Sequence, residues 1–328
     1  MAIDIDAWLA GGATPWDAFP NTGKGKIDAE TGPLAAALAS PNVTLLTGAT
    51  VVRLETDASG KAIDAVHVQL HGETTRITPK LVVLAAGAIN SAALLLRSAN
   101  MAMPKGLANS SDQVGRNFMN HNSTAMLAMN LGTPNRSVYQ KTLGLNDFYL
   151  KDPATGYPLG NAQLLGKVSG AILKANLRFV PETLLAMAAY RSFDWYLQSE
   201  DLAHPESRVR IDGNDVVLQW VRSNLQAHGL LVERMRNVLR EAGFPIILTK
   251  PFDKHATSHQ CGTVRIGTDP ETAPLDAFCR SYDHSNLFVV DGSFLPSSAA
   301  VNPALTIAAQ ALRVAHHIAG EKPVGQPR

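Results

Sequence analysis

Apolar residues along this chain come in two rhythms. Unbroken runs, Leu81-Val-Val-Leu84 and Leu287-Phe-Val-Val290, are what parallel strands buried on both faces leave in a sequence. Stricter alternation appears over 62–70, where Ile63, Ala65, Val66 and Val68 are set among polar residues. With His71-Gly72-Glu73 as a turn into 74–78, that stretch predicts a hairpin. Residues 43–46 and 49–55 read as two further strands parted by Gly48. A second hairpin is predicted at 208–211 and 216–221, around Asp212-Gly-Asn-Asp215.

Helical spacing shows in four places. Residues 34–39 form a short Ala-rich turn before Ser40-Pro41, and 89–97 follow the small residues Ala85-Ala-Gly-Ala88. Leu231, Met235, Val238, Leu239 and Ala242 fall on one face, with Gly243 placed as a C-cap. The last helix is predicted to open at Asn302-Pro303, with Asn302 as N-cap and Pro303 at the first helical position. It runs to about 319 with Ile307, Ala311, Val314, Ala315 and Ile318 buried. The first twenty residues, with Gly11-Gly12, Pro15 and Pro20, read as a loop-rich lead-in.

Composition narrows the class. The 328 residues are 45% hydrophobic and 17% charged, enough to bury a sizeable core. A formal charge of +1 gives no field that would gather nucleic acid or an anionic membrane. The most apolar run, 81–96, is broken by Gly87, Asn90 and Ser91 and is too short to span a bilayer. No basic and apolar leader opens the chain, so the expectation is a cytoplasmic α/β or α+β protein. Two cysteines, Cys261 and Cys279, make neither a disulfide scaffold nor a zinc ribbon.

The candidate chemistry is sparse. Gly23-Lys-Gly25 lacks a third glycine and a preceding strand, and neither a Walker loop nor a Gly-x-Ser-x-Gly elbow occurs. His255, His259 and Cys261, with His284 further on, lack a convincing carboxylate and a helix to present them, so no metal site is assigned. His259 and Asn302 are more suggestive. Each sits beside tight backbone, in His259-Gln-Cys-Gly-Thr263 and Ala300-Val-Asn-Pro-Ala304. A neutral His can take an alcohol proton, an Asn amide can orient the same oxygen, and the helix start beside Asn302 favours a developing anion. As isolated residues, both are better read as ordinary loop or cap positions.

The segments 259–267, 286–298 and 302–308 together closely resemble the glucose–methanol–choline (GMC) flavoprotein oxidoreductases. Residues 85–98 look like that family's second signature, and Val114-Gly-Arg-Asn-Phe-Met-Asn-His121 like the loop after it. Within the family the chain looks most like the bacterial sugar and polyol dehydrogenases and relatives of pyranose oxidase.

The resemblance implies FAD as cofactor and a small-molecule alcohol or sugar as substrate. His259 would be the base, and Asn302 its partner on the substrate oxygen. Val51, Ala86 and Gly87 would lie by the adenosine half of FAD, Asp291 and Gly292 by the ribityl–pyrophosphate stretch, and Asn302 and Pro303 by the flavin ring. The implied architecture is a partial, doubly wound FAD-binding domain over 1–121, an inserted antiparallel-sheet substrate-binding domain over 122–257, and a return to the FAD-binding domain over 258–328. Because the family's opening strand, Gly-x-Gly-x-x-Gly turn, ADP-binding helix and first signature are missing, the expectation is a C-terminal portion of the family: either a second chain supplies the N-terminal FAD-binding half, or the chain is a truncated product that binds flavin poorly. The alternative is a non-catalytic fragment or interaction subunit that binds no FAD by itself.

Overall fold

A computed structural model describes residues 2–3, 26–137, 141–254 and 258–320. The first-twenty-residue loop and the Gly23-Lys-Gly25 stretch lie almost wholly outside the described residues, as does His255. The principal strands are β1 (Ala49–Thr56), β2 (Ile63–Leu70), β3 (Glu73–Ile77), β4 (Val82–Leu84), β5 (Asn122–Met129), β6 (Gly144–Leu145), β7 (Asn161–Leu164), β8 (Ser192–Ser199), β9 (Arg208–Asp212), β10 (Asp215–Gln219), β11 (Ile246–Pro251) and β12 (Leu287–Val289). The helices used below are α1 (Gly87–Arg97), α2 (Leu225–Glu241) and α3 (Ala304–Ile318). The chain divides into two compact units, one of 1–47, 123–198 and 227–252, the other of 48–122, 199–226 and 253–328.

In the first unit the strands run in the order β11-β5-β8-β7-β6. β11 pairs antiparallel with β5, from Ile246 opposite Met129 to Pro251 opposite Thr124, and β8 pairs antiparallel with β7. β5 has a neighbour on each side and all eight of its residues are buried. α2 covers the sheet because Leu231, Met235 and Leu239 recur every four residues and so line one face. They pack with Met126, Ala128, Trp195 and Leu197 in one apolar cluster. Each such fully buried side chain contributes about 1.5–3 kcal/mol of transfer free energy.

The second unit holds the antiparallel sheet β1-β2-β3, the hairpin β9–β10 and the parallel pair β12–β4. Leu287, Phe288 and Val289 lie opposite Val82, Val83 and Leu84, so the two continuous apolar runs are indeed parallel partners. α1 lays Ala88, Ala92, Ala93, Leu94 and Leu95 into the core, where small residues let helix and strand approach closely. Both expected hairpins form, the second turning through Gly213 at φ +56°.

Two elements differ from the sequence reading. Residues 43–46 are exposed and irregular. Their apolar run has no neighbouring strand to satisfy its backbone groups among the described residues, and a strand does not persist without one. Pro303, not Asn302, is the N-cap of α3, and no side chain caps it. The buried stripe of α3 is also narrower than its period suggests. Val314 is buried, Ile307 and Ala311 are partly buried, and Ala315 and Ile318 are exposed.

Candidate active site

Three loop segments of the second unit converge on His259. The backbone of Cys261 exchanges hydrogen bonds with Met119, each at 3.0 Å, which ties 259–263 to 117–121. Gly262 makes this approach possible. Its φ is +91°, and a Cβ there would stand 2.4 Å from the Asn117 carbonyl oxygen and 2.5 Å from Met119 Cε. His259 itself has φ +63°, the left-handed region that a non-glycine residue enters only when its surroundings over-determine it. Such strain gathers where a side chain must be aimed.

What His259 is aimed at is specific. Its Nε2 lies 3.4 Å from the Asn302 amide nitrogen, and its Nδ1 lies 3.0 Å from Nδ1 of His121. The two imidazoles meet edge to face, with centroids 4.9 Å apart. Nε2 of His121 is 2.7 Å from the Ser298 carbonyl oxygen. Ser298 is held in turn by Asp201, whose backbone N–H donates to the Ser298 hydroxyl at 3.1 Å and whose carbonyl accepts from it at 3.0 Å. Asp201 also accepts from the backbone N–H of Asn120 and from the Trp220 indole.

Burial, reinforced by the neighbouring His121, pushes the pKa of His259 down to about 4. Burial also lowers His121, against the opposing pull of the Ser298 carbonyl and the charges of Asp201 and Glu200. Both rings are therefore neutral near pH 7, the state in which a histidine can accept a proton. The helix cap falls one residue after Asn302, at Pro303.

Of the expected cofactor-side residues, Ala86, Gly87 and Gly292 gather around Asp291. Its carboxylate accepts from the backbone N–H of Gly87 at 3.0 Å, from that of Ser293 at 2.8 Å, and from the Ser91 hydroxyl. Asp291 thus clasps the Ala86-Gly87 start of α1 to the end of β12 and Gly292. Gly87 has φ +84° and open space where a Cβ would stand. Val51 sits apart from this clasp, half-exposed on β1, at a bulge in its pairing with β2. It lines an open groove of about 690 Å³ together with Val83, Ala86 and Asn90. Pro303 stands beside Asn302 at the start of α3.

Other candidates have structural explanations. The Cys261 thiol is buried and pushed up to about 12, so it is no nucleophile at neutral pH. His284 is buried between the Gly60 carbonyl and the Ala108 N–H, each 3.1 Å from a ring nitrogen. His121 and Ser298 have no assigned role in the sequence reading. No spacing rule connects position 121 with position 259, and only the paired loops bring them together.

Two family models, both described as GMC oxidoreductase, match the chain: the N-terminal one over 18–123 and the C-terminal one over 203–311. The 6'''-hydroxyparomomycin C oxidase of Streptomyces lividus is 31% identical over 316 residues, 88% of this chain and 55% of that protein. The fructose dehydrogenase large subunit of Gluconobacter japonicus is 28% identical over 84% of this chain and 53% of its own length. The crystal structure of pyridoxine 4-oxidase from Mesorbium loti matches with a TM-score of 0.63 at 23% identity, over 91% of this chain and 63% of that one, a likeness of fold. The chain spans about half the length of the curated relatives it matches.

The fold is α+β, with an FAD-binding-type domain and an antiparallel-sheet substrate domain. The N-terminal match corrects two expectations. The chain is not a C-terminal portion only, and the N-terminal FAD-binding region is present in it, not supplied by a partner. β1, β2, β4 and α1, all within the N-terminal match, fold with the C-terminal β12 into one unit, through the β4–β12 pairing and the Asp291 clasp.

Proposed function

The chain belongs to the GMC oxidoreductase family, and on that premise we propose that it is an FAD-dependent oxidoreductase acting on the CH–OH group of an alcohol or sugar, with His259 as the base. The observation that carries this reading is the convergence of a neutral His259 and the Asn302 amide, 3.4 Å apart, at the start of α3. An alcohol oxygen placed between them donates its proton to His259 Nε2 while the Asn302 amide donates to the oxygen. This pairing orients the hydroxyl and removes its proton as the carbon is oxidised.

The residues present suit a flavin. The first turn of α3 offers unpaired N–H groups and the positive end of a helix dipole, which favours a ring that becomes anionic on reduction. Gly87 leaves a Cβ-free approach at the start of α1. Ala86, Gly87, Gly292, Asn302 and Pro303 would hold the group, with Asp291 fixing Gly87 and Gly292 in place and Val51 bordering the adenosine end. When bound, FAD supplies the hydride acceptor. Residues 122–257 would form the substrate-binding domain, and 1–121 with 258–328 the cofactor-binding part. The names of the relatives, an oxidase of 6'''-hydroxyparomomycin C and a fructose dehydrogenase subunit, support an alcohol or sugar as substrate.

The test is an absorbance titration of the purified chain with FAD, followed by anaerobic addition of alcohols and sugars. Stoichiometric, protein-perturbed flavin bands that bleach with a substrate are expected. His259→Ala should still bind flavin but lose bleaching by about 10²–10⁴-fold in rate. Failure to bind FAD, or bleaching at an unchanged rate in His259→Ala, would overturn the reading.

A further inference from the structure

We propose that His121 is a positioning residue that fixes the tautomer of His259, so that Nε2 is the atom left basic. The consequence for catalysis rests on the function proposed above, whereas the tautomer itself does not.

The assignment follows from donor and acceptor accounting along three contacts. The Ser298 carbonyl can only accept, so the proton of a neutral His121 is on Nε2, 2.7 Å away. Nδ1 of His121 is then a lone pair. It lies 3.0 Å from Nδ1 of His259, and two ring nitrogens at that distance need one proton between them. That proton belongs to His259 Nδ1, which donates to His121. A neutral His259 therefore carries its lone pair on Nε2, where the Asn302 amide N–H, 3.4 Å away, points to an acceptor. All three contacts are satisfied by this arrangement. The reverse tautomer of His259 would require His121 to be doubly protonated, which its burial opposes even with Asp201 and Glu200 nearby.

The scaffold behind His121 is built to hold it. Residues 117–121 are tied to 259–263 by the Met119–Cys261 pairing, and Ser298 is fixed through Asp201. When His259 takes up a proton, its Nδ1–H still donates to His121, so the ring need not turn during the reaction. This is the part that an orienting partner plays for any histidine whose two nitrogens have different tasks.

The direct test is ¹⁵N NMR of the histidine rings in the chain without cofactor, near pH 7, which separates protonated from unprotonated ring nitrogens. His259 should show a protonated Nδ1 and an unprotonated Nε2. In His121→Leu, which lacks the acceptor, the proton should move largely to Nε2. In His121→Asn, whose Oδ1 can take the place of the lost ring nitrogen, the wild-type pattern should return. In the flavin-loaded protein, His121→Leu should lower kcat about 10–100-fold with little change in KM, and His121→Asn should recover most of it. A wild-type His259 protonated on Nε2 would overturn the proposal, as would a His121→Leu spectrum identical to wild type. If His121→Leu does not fold, the wild-type and His121→Asn spectra still decide. Loss of all turnover in the wild type would instead count against the proposed function and leave the tautomer assignment standing.

Discussion

The candidate site is built on a histidine in the left-handed backbone region. His259 at φ +63° is kept there by contacts on both sides, and at Gly262 a Cβ would collide with the Asn117 backbone. Gly262→Ala adds a Cβ into the Asn117 carbonyl at a φ that an L-residue resists, so it should cost about 2 kcal/mol or more. Urea unfolding with an unchanged slope and a lower midpoint would check this. A midpoint equal to wild type would mean that the loops can separate freely. The sequence picks out His259 and Asn302 by residue type and position, yet it gives His121 no role. A partner 138 residues away leaves no local trace.

Elements were legible where they satisfy themselves locally or carry a strong period. The hairpin turns at 71–72 and 213–214 depend on a few adjacent residues, and both form. Of the predicted stripe of α2, Leu231, Met235 and Leu239 are buried against the sheet, Val238 is partly buried and Ala242 is exposed. Leu231→Ala should leave a cavity there and lower stability by about 2–5 kcal/mol, measured by chemical denaturation. A loss under about 1 kcal/mol would mean that the site collapses around the smaller side chain. Residues 43–46 were read as a strand like 81–84, but only 82–84 finds a partner, in β12. The same limit explains the cap of α3. Asn302 is a good N-cap by propensity, but its amide lies by His259 and the helix starts after Pro303.

For the molecule as a whole, the buried neutral histidines make stability depend on pH. The pKa of His259 is depressed from its ordinary 6.5 to about 4, and His121 and His284 shift the same way by burial. Between these values the unfolded chain binds more protons than the folded one. The stabilisation is therefore complete above about 6.5 and is lost as pH falls toward 4. For the partly exposed His259 ring this amounts to about 1–2 kcal/mol after allowance for screening. Denaturation midpoints at pH 7 and pH 4.5 should fall less in His259→Asn than in wild type, and parallel falls would mean that His259 is not held neutral. Among the described residues no helix is long and apolar enough to cross a membrane. The order of the motifs was enough to suggest the family, because motif order is a linear property. A missing glycine turn, by contrast, was a poor guide to how much of the fold the chain carries. Strand runs and hairpin turns were written in local residue order, since each rests on neighbours within a few positions. The β4–β12 pairing, the Asp291 clasp and the His121–His259–Asn302 line join segments far apart in the chain, and only packing could bring them within hydrogen-bonding distance.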